Sequence, residues 1–146
     1  MESNLYKRLC TATPGFHWQR HEDKLVSGIP DCSYGFYQVC GWVELKTYDN
    51  WPKDIEKPLK WSDLKPEQVN WLMARGRTCG QCYILLEVGT DPRTSEWLLI
   101  SWKHLRKIRQ YNRVKLRRVA SIHGIGPISK DIIKVLIQRD TPCGVG

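Results

Sequence analysis

The run C-Y-I-L-L-E-V, residues 82–88, leaves this chain few ways to fold. A strand with one face in water alternates apolar and polar residues, whereas a strand covered on both faces reads as a near-continuous apolar run. Residues 82–88 therefore predict a buried strand, and the flanking segments supply what would cover it. Glu2 to Cys10 has apolar residues at 5, 6 and 9, a short helix that residues 11–15 end. Phe16 to His21 reads as extended, Pro30-Asp31 opens a second strand, Gly35 marks a turn, and Tyr37 to Thr47 forms a third strand. Asp63 to Arg75 is predicted as a helix, with Pro66 in its first turn, Val69, Leu72 and Met73 on one face, and Gly76 at its end. Asp91-Pro92 turns the chain into a strand from Glu96 to Ser101. Two last helices follow, over Trp102 to Gln110 and Ile128 to Arg139. The order α-β-β-β-α-β-β-α-α predicts a mixed α/β (α+β) fold, a central sheet with helices packed on it.

The 146 residues suffice for one domain, and 41% hydrophobic with 26% charged residues is ordinary for a globular chain. No apolar stretch approaches the roughly 20 residues that span a bilayer. The polar opening M-E-S-N-L-Y-K-R-L does not read as a secretory signal, so a cytoplasmic protein is expected, with its six cysteines as thiols. Charge is distributed unevenly. Residues 1–100 carry 12 Lys/Arg against 13 Asp/Glu, whereas residues 101–146 carry 11 against 2. Lys103, Arg106, Lys107, Arg109, Arg113, Lys115, Arg117 and Arg118 form a block without an acid, as expected of a polyanion binder. A solvated helix face is the alternative, though such faces usually mix signs.

Two acids sit where strands would prefer apolar residues. Asp31 follows Pro30, and Glu44 lies in G-W-V-E-L-K. Three acid-x-Lys matches occur, Glu22/Lys24, Glu44/Lys46 and Asp63/Lys65, and only the second lies in an apolar strand. A period of two puts Glu44 and Lys46 on one face and Leu45 on the other, in the core. With Asp31 on an adjacent strand, the three converge. Two carboxylates suit a hard divalent cation such as Mg²⁺, with Mn²⁺ as the other choice. Such a cation polarises a phosphodiester and acidifies a water, while the lysine positions that water and offsets developing charge. A solvent-facing Glu–Lys pair is the other reading of the tripeptide.

P-D followed after 12 residues by E-L-K resembles the P-D-(D/E)-x-K nuclease signature. L-K-P-E-Q-V-N-W-L places Gln68 on the next helix and resembles the Q-x-x-W/L element of the virus-type replication-repair nuclease group. The opening E-S-N-L-Y-K-R-L resembles that group's acidic first helix. The similarity covers residues 2 to about 100 and is strongest to small stand-alone phage versions. It implies a restriction-endonuclease-like αβββαβ core over residues 1–100 with a basic helical extension over 101–146, packed on or completing the same domain. It also implies Asp31, Glu44, the Leu45 carbonyl and Glu2 as metal ligands, Lys46 as catalytic lysine, and Gln68 orienting water or phosphate. The implied protein is a metal-dependent deoxyribonuclease, acting as a homodimer on DNA, with branched DNA such as a four-way junction as the implied substrate. It would work in the host cytoplasm if phage-encoded. The departure from the group is the 17-residue segment 48–64, with Trp51 and Trp61, which either contacts DNA or a partner subunit or covers the sheet.

Other patterns point elsewhere. Cys79 and Cys82 in C-G-Q-C have zinc-ligand spacing without an obvious second pair, and Cys82 also suits a buried strand. In S-I-H-G-I-G-P-I-S-K, Gly124 and Gly126 precede a predicted helix and look like the hairpin of a helix-hairpin-helix DNA-binding motif. Such a turn presents backbone N–H groups to phosphate; a tight turn between packed helices is the alternative. The rival functions are a non-catalytic DNA-binding protein on a nuclease-like scaffold and a zinc-stabilised regulatory protein.

Overall fold

The computed structural model describes residues 2–22 and 26–139, with the side chains of Glu2 and Ser3 left aside. Six strands form one sheet in the order β1-β2-β3-β4-β5-β6: β1 (His17–Arg20), β2 (Cys32–Phe36), β3 (Val39–Tyr48), β4 (Cys82–Val88), β5 (Glu96–Ser101) and β6 (Ile122–Ile125). Only β3 and β4 run parallel, joined through helix α2 (Pro66–Cys79), while every other neighbour pair is antiparallel. Every residue of β4 is buried, as its sequence predicts for a strand covered on both faces.

Alternation along β3, β4 and β5 divides the core in two. On one face Val43, Leu45, Leu85, Trp97 and Leu99 meet Leu5 and Leu9 of helix α1 (Glu2–Ala12) and Ile132 and Leu136 of helix α4 (Ile132–Leu136). On the other, Ile84, Leu86, Leu98 and Ile100 meet Val69 and Leu72 of α2. Leu105 and Ile108 of the 3₁₀ helix Trp102–Gln110 and Leu116 of helix α3 (Arg113–Val119) complete that layer. The single acid within β4, Glu87, points to the α1 face. There Arg8 takes both its oxygens at 2.6 and 2.7 Å, so the buried carboxylate is neutralised and α1 is tied to the sheet. Residues beyond 100 thus add a strand to the sheet and side chains to both core layers.

Several elements differ from expectation. The β2–β3 connection turns at Tyr37 and Gln38, whose φ of 42° and 70° give the left-handed two-residue turn that matches strand twist, while Gly35 stays in β2 opposite Cys40. Helix α2 runs on to Cys79 and is capped by Gly80. Gly76 lies inside it because the Trp102 ring needs the space, a Cβ there falling 2.2 Å from Trp102 Cγ. Residues 102–110 form a 3₁₀ helix. Trp102, Leu105 and Ile108 recur every three residues, which the three-residue period of a 3₁₀ helix brings to one side. The last helix covers Ile132–Leu136 alone.

The predicted helix-hairpin-helix turn is corrected too. Ile122–Ile125 is an edge strand on β5, with Gly124 opposite Trp97, and the Gly126 N–H donates to Ser95 O at 2.8 Å. That donor is spent within the sheet rather than presented to phosphate. Segment 48–64 covers the sheet, with Leu59, Trp61 and Leu64 buried in the α2-side core. Among the described residues, no helix is long and apolar enough to cross a membrane.

Candidate active site

Cys32 faces Val43 across β2 and β3, so Asp31, one residue before β2, stands opposite Glu44. Two reciprocal bonds lock the pair. The Leu45 N–H donates to Asp31 Oδ2 at 2.9 Å, and the Asp31 N–H donates to Glu44 Oε1 at 3.2 Å. The chain enters this position through Gly28, whose φ is +90° and where a Cβ would fall 2.4 Å from Glu67 O. Only glycine lets residues 26–29 lie against the first turn of α2 and deliver Asp31 to β3.

Glu44 is fully buried and Lys46 only 4% exposed, on the same face of β3 as the α2 layer. A buried ammonium needs partners, and Lys46 finds one that the sequence did not suggest. Its Nζ donates to Asp63 O at 3.0 Å and stands 3.6 Å from Asp63 Oδ2, while the Tyr48 hydroxyl donates to the other carboxylate oxygen of Asp63. D-L-K at 63–65 is an acid-x-Lys match outside any apolar strand. Its acid is carried back over β3 by a loop with no periodic signal, so nothing local announced the contact.

Gln68 occupies the third position of α2. Its Oε1 accepts from Lys65 N–H at 2.9 Å in a capping box, and it lines a cleft with Gly28, Ile29 and Lys65. The side chain of Glu2 lies outside the described residues.

The donor chemistry fits a hard divalent cation. Two carboxylates on neighbouring strands, held by backbone N–H groups, leave further coordination positions to a backbone carbonyl such as that of Leu45, to water and to phosphate, the habit of Mg²⁺. Among the described residues, no three His, Cys, Asp or Glu side chains assemble as a structural zinc would require. Cys82 is buried in β4, where burial and then the neighbouring Cys79 push its thiol well above the usual range.

The basic block divides in two. Lys103, Arg106, Lys107 and Arg109 on the 3₁₀ helix, and Arg118 on α3, are exposed. Arg117 instead grips Glu96 through two bonds of 2.6 and 2.9 Å, Arg113 donates to Pro52 O, and Arg109 also reaches Leu64 O. Lys115 lies over the Tyr111 ring, and Arg113 and Arg117 both lie over the Trp51 ring. Arg109, Arg113 and Arg117 thus bind segment 48–64 to the body. Burial alone would raise the Glu96 carboxyl, but the Arg117 guanidinium and the Trp51 indole N–H outweigh it and hold the group below its usual value.

With the sheet order and the Asp31–Glu44–Lys46 geometry in hand, the known structures are informative. The chain is similar to Hjc, a Holliday junction resolvase from the archaeal hyperthermophile Archaeoglobus fulgidus, at 20% identity over 80% of this chain and 89% of that one, with a TM-score of 0.55. The fold is restriction-endonuclease-like. Its αβββαβ core is α1-β1-β2-β3-α2-β4, in the order expected from sequence, and β5 and β6 extend the sheet beyond it. No protein-family model matches the chain, and no curated protein matches it significantly.

Proposed function

We propose that this protein is a divalent-metal-dependent endonuclease that hydrolyses DNA phosphodiester bonds, selective for branched DNA such as a four-way junction. The observation that carries the reading is the cross-strand lock of Asp31 and Glu44 beside a buried Lys46. Buried ionisable groups gathered at one end of a sheet cost stability, and active sites are where such costs are retained. The spacing of Gln68 from E-L-K supports placement in the virus-type replication-repair group of the P-D-(D/E)-x-K nucleases.

Each side chain then has a task. Asp31 and Glu44, with the Leu45 carbonyl and Glu2 as further ligands, would hold Mg²⁺ or Mn²⁺. The bound cation would supply Lewis-acid polarisation of the scissile phosphate and an acidified water. Lys46 holds its ammonium where charge builds on the phosphoryl oxygens, a stabilisation that grows toward the transition state. Gln68, on the first turn of α2, orients the attacking water or the phosphate. Lys103, Arg106, Lys107 and Arg118 hold the DNA backbone at the exposed side of the α2 layer. A homodimer would present two such centres to the two-fold symmetry of a junction, one cut for each of two strands. The likeness to Hjc, itself a Holliday junction resolvase, supports the substrate class.

The test is cleavage of labelled linear, flapped and four-way-junction DNA with Mg²⁺ or with EDTA, comparing the wild type with Lys46→Ala. Metal-dependent cutting that favours the junction and drops at least a hundredfold in the variant is expected. Equal cutting by both proteins would remove Lys46 from the centre. Junction binding without cutting in any metal would favour a DNA-binding protein on a nuclease-like scaffold.

A further inference from the structure

Two rows of side chains face each other where α2 packs on β3. Along β3, Trp42, Glu44 and Lys46 share one face. Along α2, Gln68, Trp71 and Arg75 follow the i, i+3, i+7 spacing of one helical stripe. Because α2 connects two parallel strands, it runs back against β3, which puts Gln68 toward the Lys46 end and Arg75 toward the Trp42 end. The contacts agree. Trp42 and Trp71 meet edge to face at 4.9 Å, and the Arg75 guanidinium lies 4.7 Å from the Trp71 ring centre and 5.4 Å from that of Trp42. His21 stacks on Trp42 at 5.0 Å and its Nε2 is 2.8 Å from Ser33 Oγ.

Arg75 is exposed, yet it is held in place by two indoles. Among the described residues, no carboxylate or carbonyl accepts from its guanidinium, whereas Arg8, Arg93 and Arg117 each pair with an acid. Stacking removes much of the rotational freedom that an arginine loses on binding and leaves its in-plane donors directed outward. The separation suits a nucleic-acid backbone. Trp42 lies two residues before Glu44, about 7 Å along a strand, or about two base-pair rises of 3.4 Å.

We infer that Arg75, buttressed by Trp42, Trp71 and His21, binds a DNA backbone phosphate one or two nucleotides from the phosphate seated over Glu44 and Lys46. The placement relative to a scissile bond rests on the proposed nuclease function; the phosphate contact itself is measured without cleavage. This contact belongs to the α2 side of the sheet, apart from the basic block of residues 103–118. It gives the site a direction, with chemistry at the Lys46 end and grip at the Trp42 end.

The experiment is a salt titration of binding to a fluorescent four-way junction and to linear duplex in EDTA, using wild type, Arg75→Gln and Arg75→Lys, with a thermal melt of each. Arg75→Gln is expected to bind on the order of tenfold more weakly, since a charge-assisted contact is lost, and its plot of log K against log salt to flatten by about 0.9. Arg75→Lys is expected to keep the wild-type slope, because the charge remains, while losing part of the affinity. Wild-type affinity and slope in Arg75→Gln would overturn the inference. So would equal losses in both variants that follow a lowered melting temperature, since a packing role predicts that pattern. Wild-type binding without metal-dependent cutting would overturn the nuclease reading alone, and the titration would still decide the contact. No DNA binding by the wild type would overturn both.

Discussion

Lys46 keeps its ammonium in a nearly closed site by leaning on Asp63, and the two contacts there differ in kind. The backbone carbonyl of Asp63 accepts at 3.0 Å whatever side chain residue 63 carries, whereas the carboxylate at 3.6 Å adds charge. Asp63 is half exposed, so solvent screens that second contribution. On the proposed function, Asp63→Asn is therefore expected to slow single-turnover junction cleavage by roughly twofold to fivefold, much less than Lys46→Ala. Junction binding should be unchanged or slightly tighter, because a negative charge beside the phosphate is gone. Wild-type cleavage in Asp63→Asn would leave Lys46 positioned by the carbonyl alone. Gly28 is a second residue whose role is geometric. Gly28→Ala meets Glu67 O and an unfavourable φ together, and is expected to cost about 1–3 kcal/mol, measured by urea unfolding.

Elements hold the site through a few ties between layers. One is the Arg117–Glu96 pair, which joins α3 to β5 and to Trp51 of the covering segment. A carboxyl whose folded pKa lies below its unfolded value contributes stability above the unfolded value, near 4.3 for glutamate. That stability is lost as pH falls through the lower folded value. Glu96 is such a group. The melting temperature of wild type should thus exceed that of Glu96→Gln above about pH 5, and the gap should close as pH drops below about 4. A gap that persists in acid would mean the tie is not electrostatic. A second tie is the approach of α2 to the 3₁₀ helix at Gly76. Alanine ordinarily strengthens a helix by about 1 kcal/mol over glycine. Here its Cβ would enter the Trp102 ring, so Gly76→Ala is expected to lower stability by about 1–3 kcal/mol instead, read from denaturant midpoints.

At the scale of the whole molecule, residues 101–139 complete the body that carries the site. Leu105, Ile108 and Leu116 lie in one core layer, Ile132 and Leu136 in the other, and β6 pairs with β5. A chain ending at residue 100 would keep α1 and α2 but uncover part of both faces of β4 and β5, strands that are apolar on both sides. It is expected to lose the cooperative thermal transition of the full chain and to aggregate, checked by calorimetry and light scattering. A soluble, cooperatively melting fragment would show the αβββαβ core to be self-sufficient.

What was legible in the sequence is what local periodicity encodes. The apolar run 82–88 specified a strand buried on both faces, and the period of two in G-W-V-E-L-K put Glu44 and Lys46 on one side with Leu45 on the other. Pro66 marked the start of α2. The turn at Tyr37-Gln38 was missed because neither residue advertises a left-handed φ, and Gly35 nearby does. Gly124 and Gly126 read as a turn because a four-residue edge strand has too short a pattern to be seen. Tertiary structure alone decided how like-charged residues differ. In sequence Arg75, Arg113 and Arg117 are equivalent cations. In the fold Arg117 faces Glu96, Arg113 faces a carbonyl of the covering segment, and Arg75 lies on two tryptophans. Local pattern specified the sheet's buried strand and the alternation that pairs an acid with a lysine. Which groups meet across the layers, Asp63 with Lys46 above all, was decided by packing, because contacts between residues many positions apart leave no period to read.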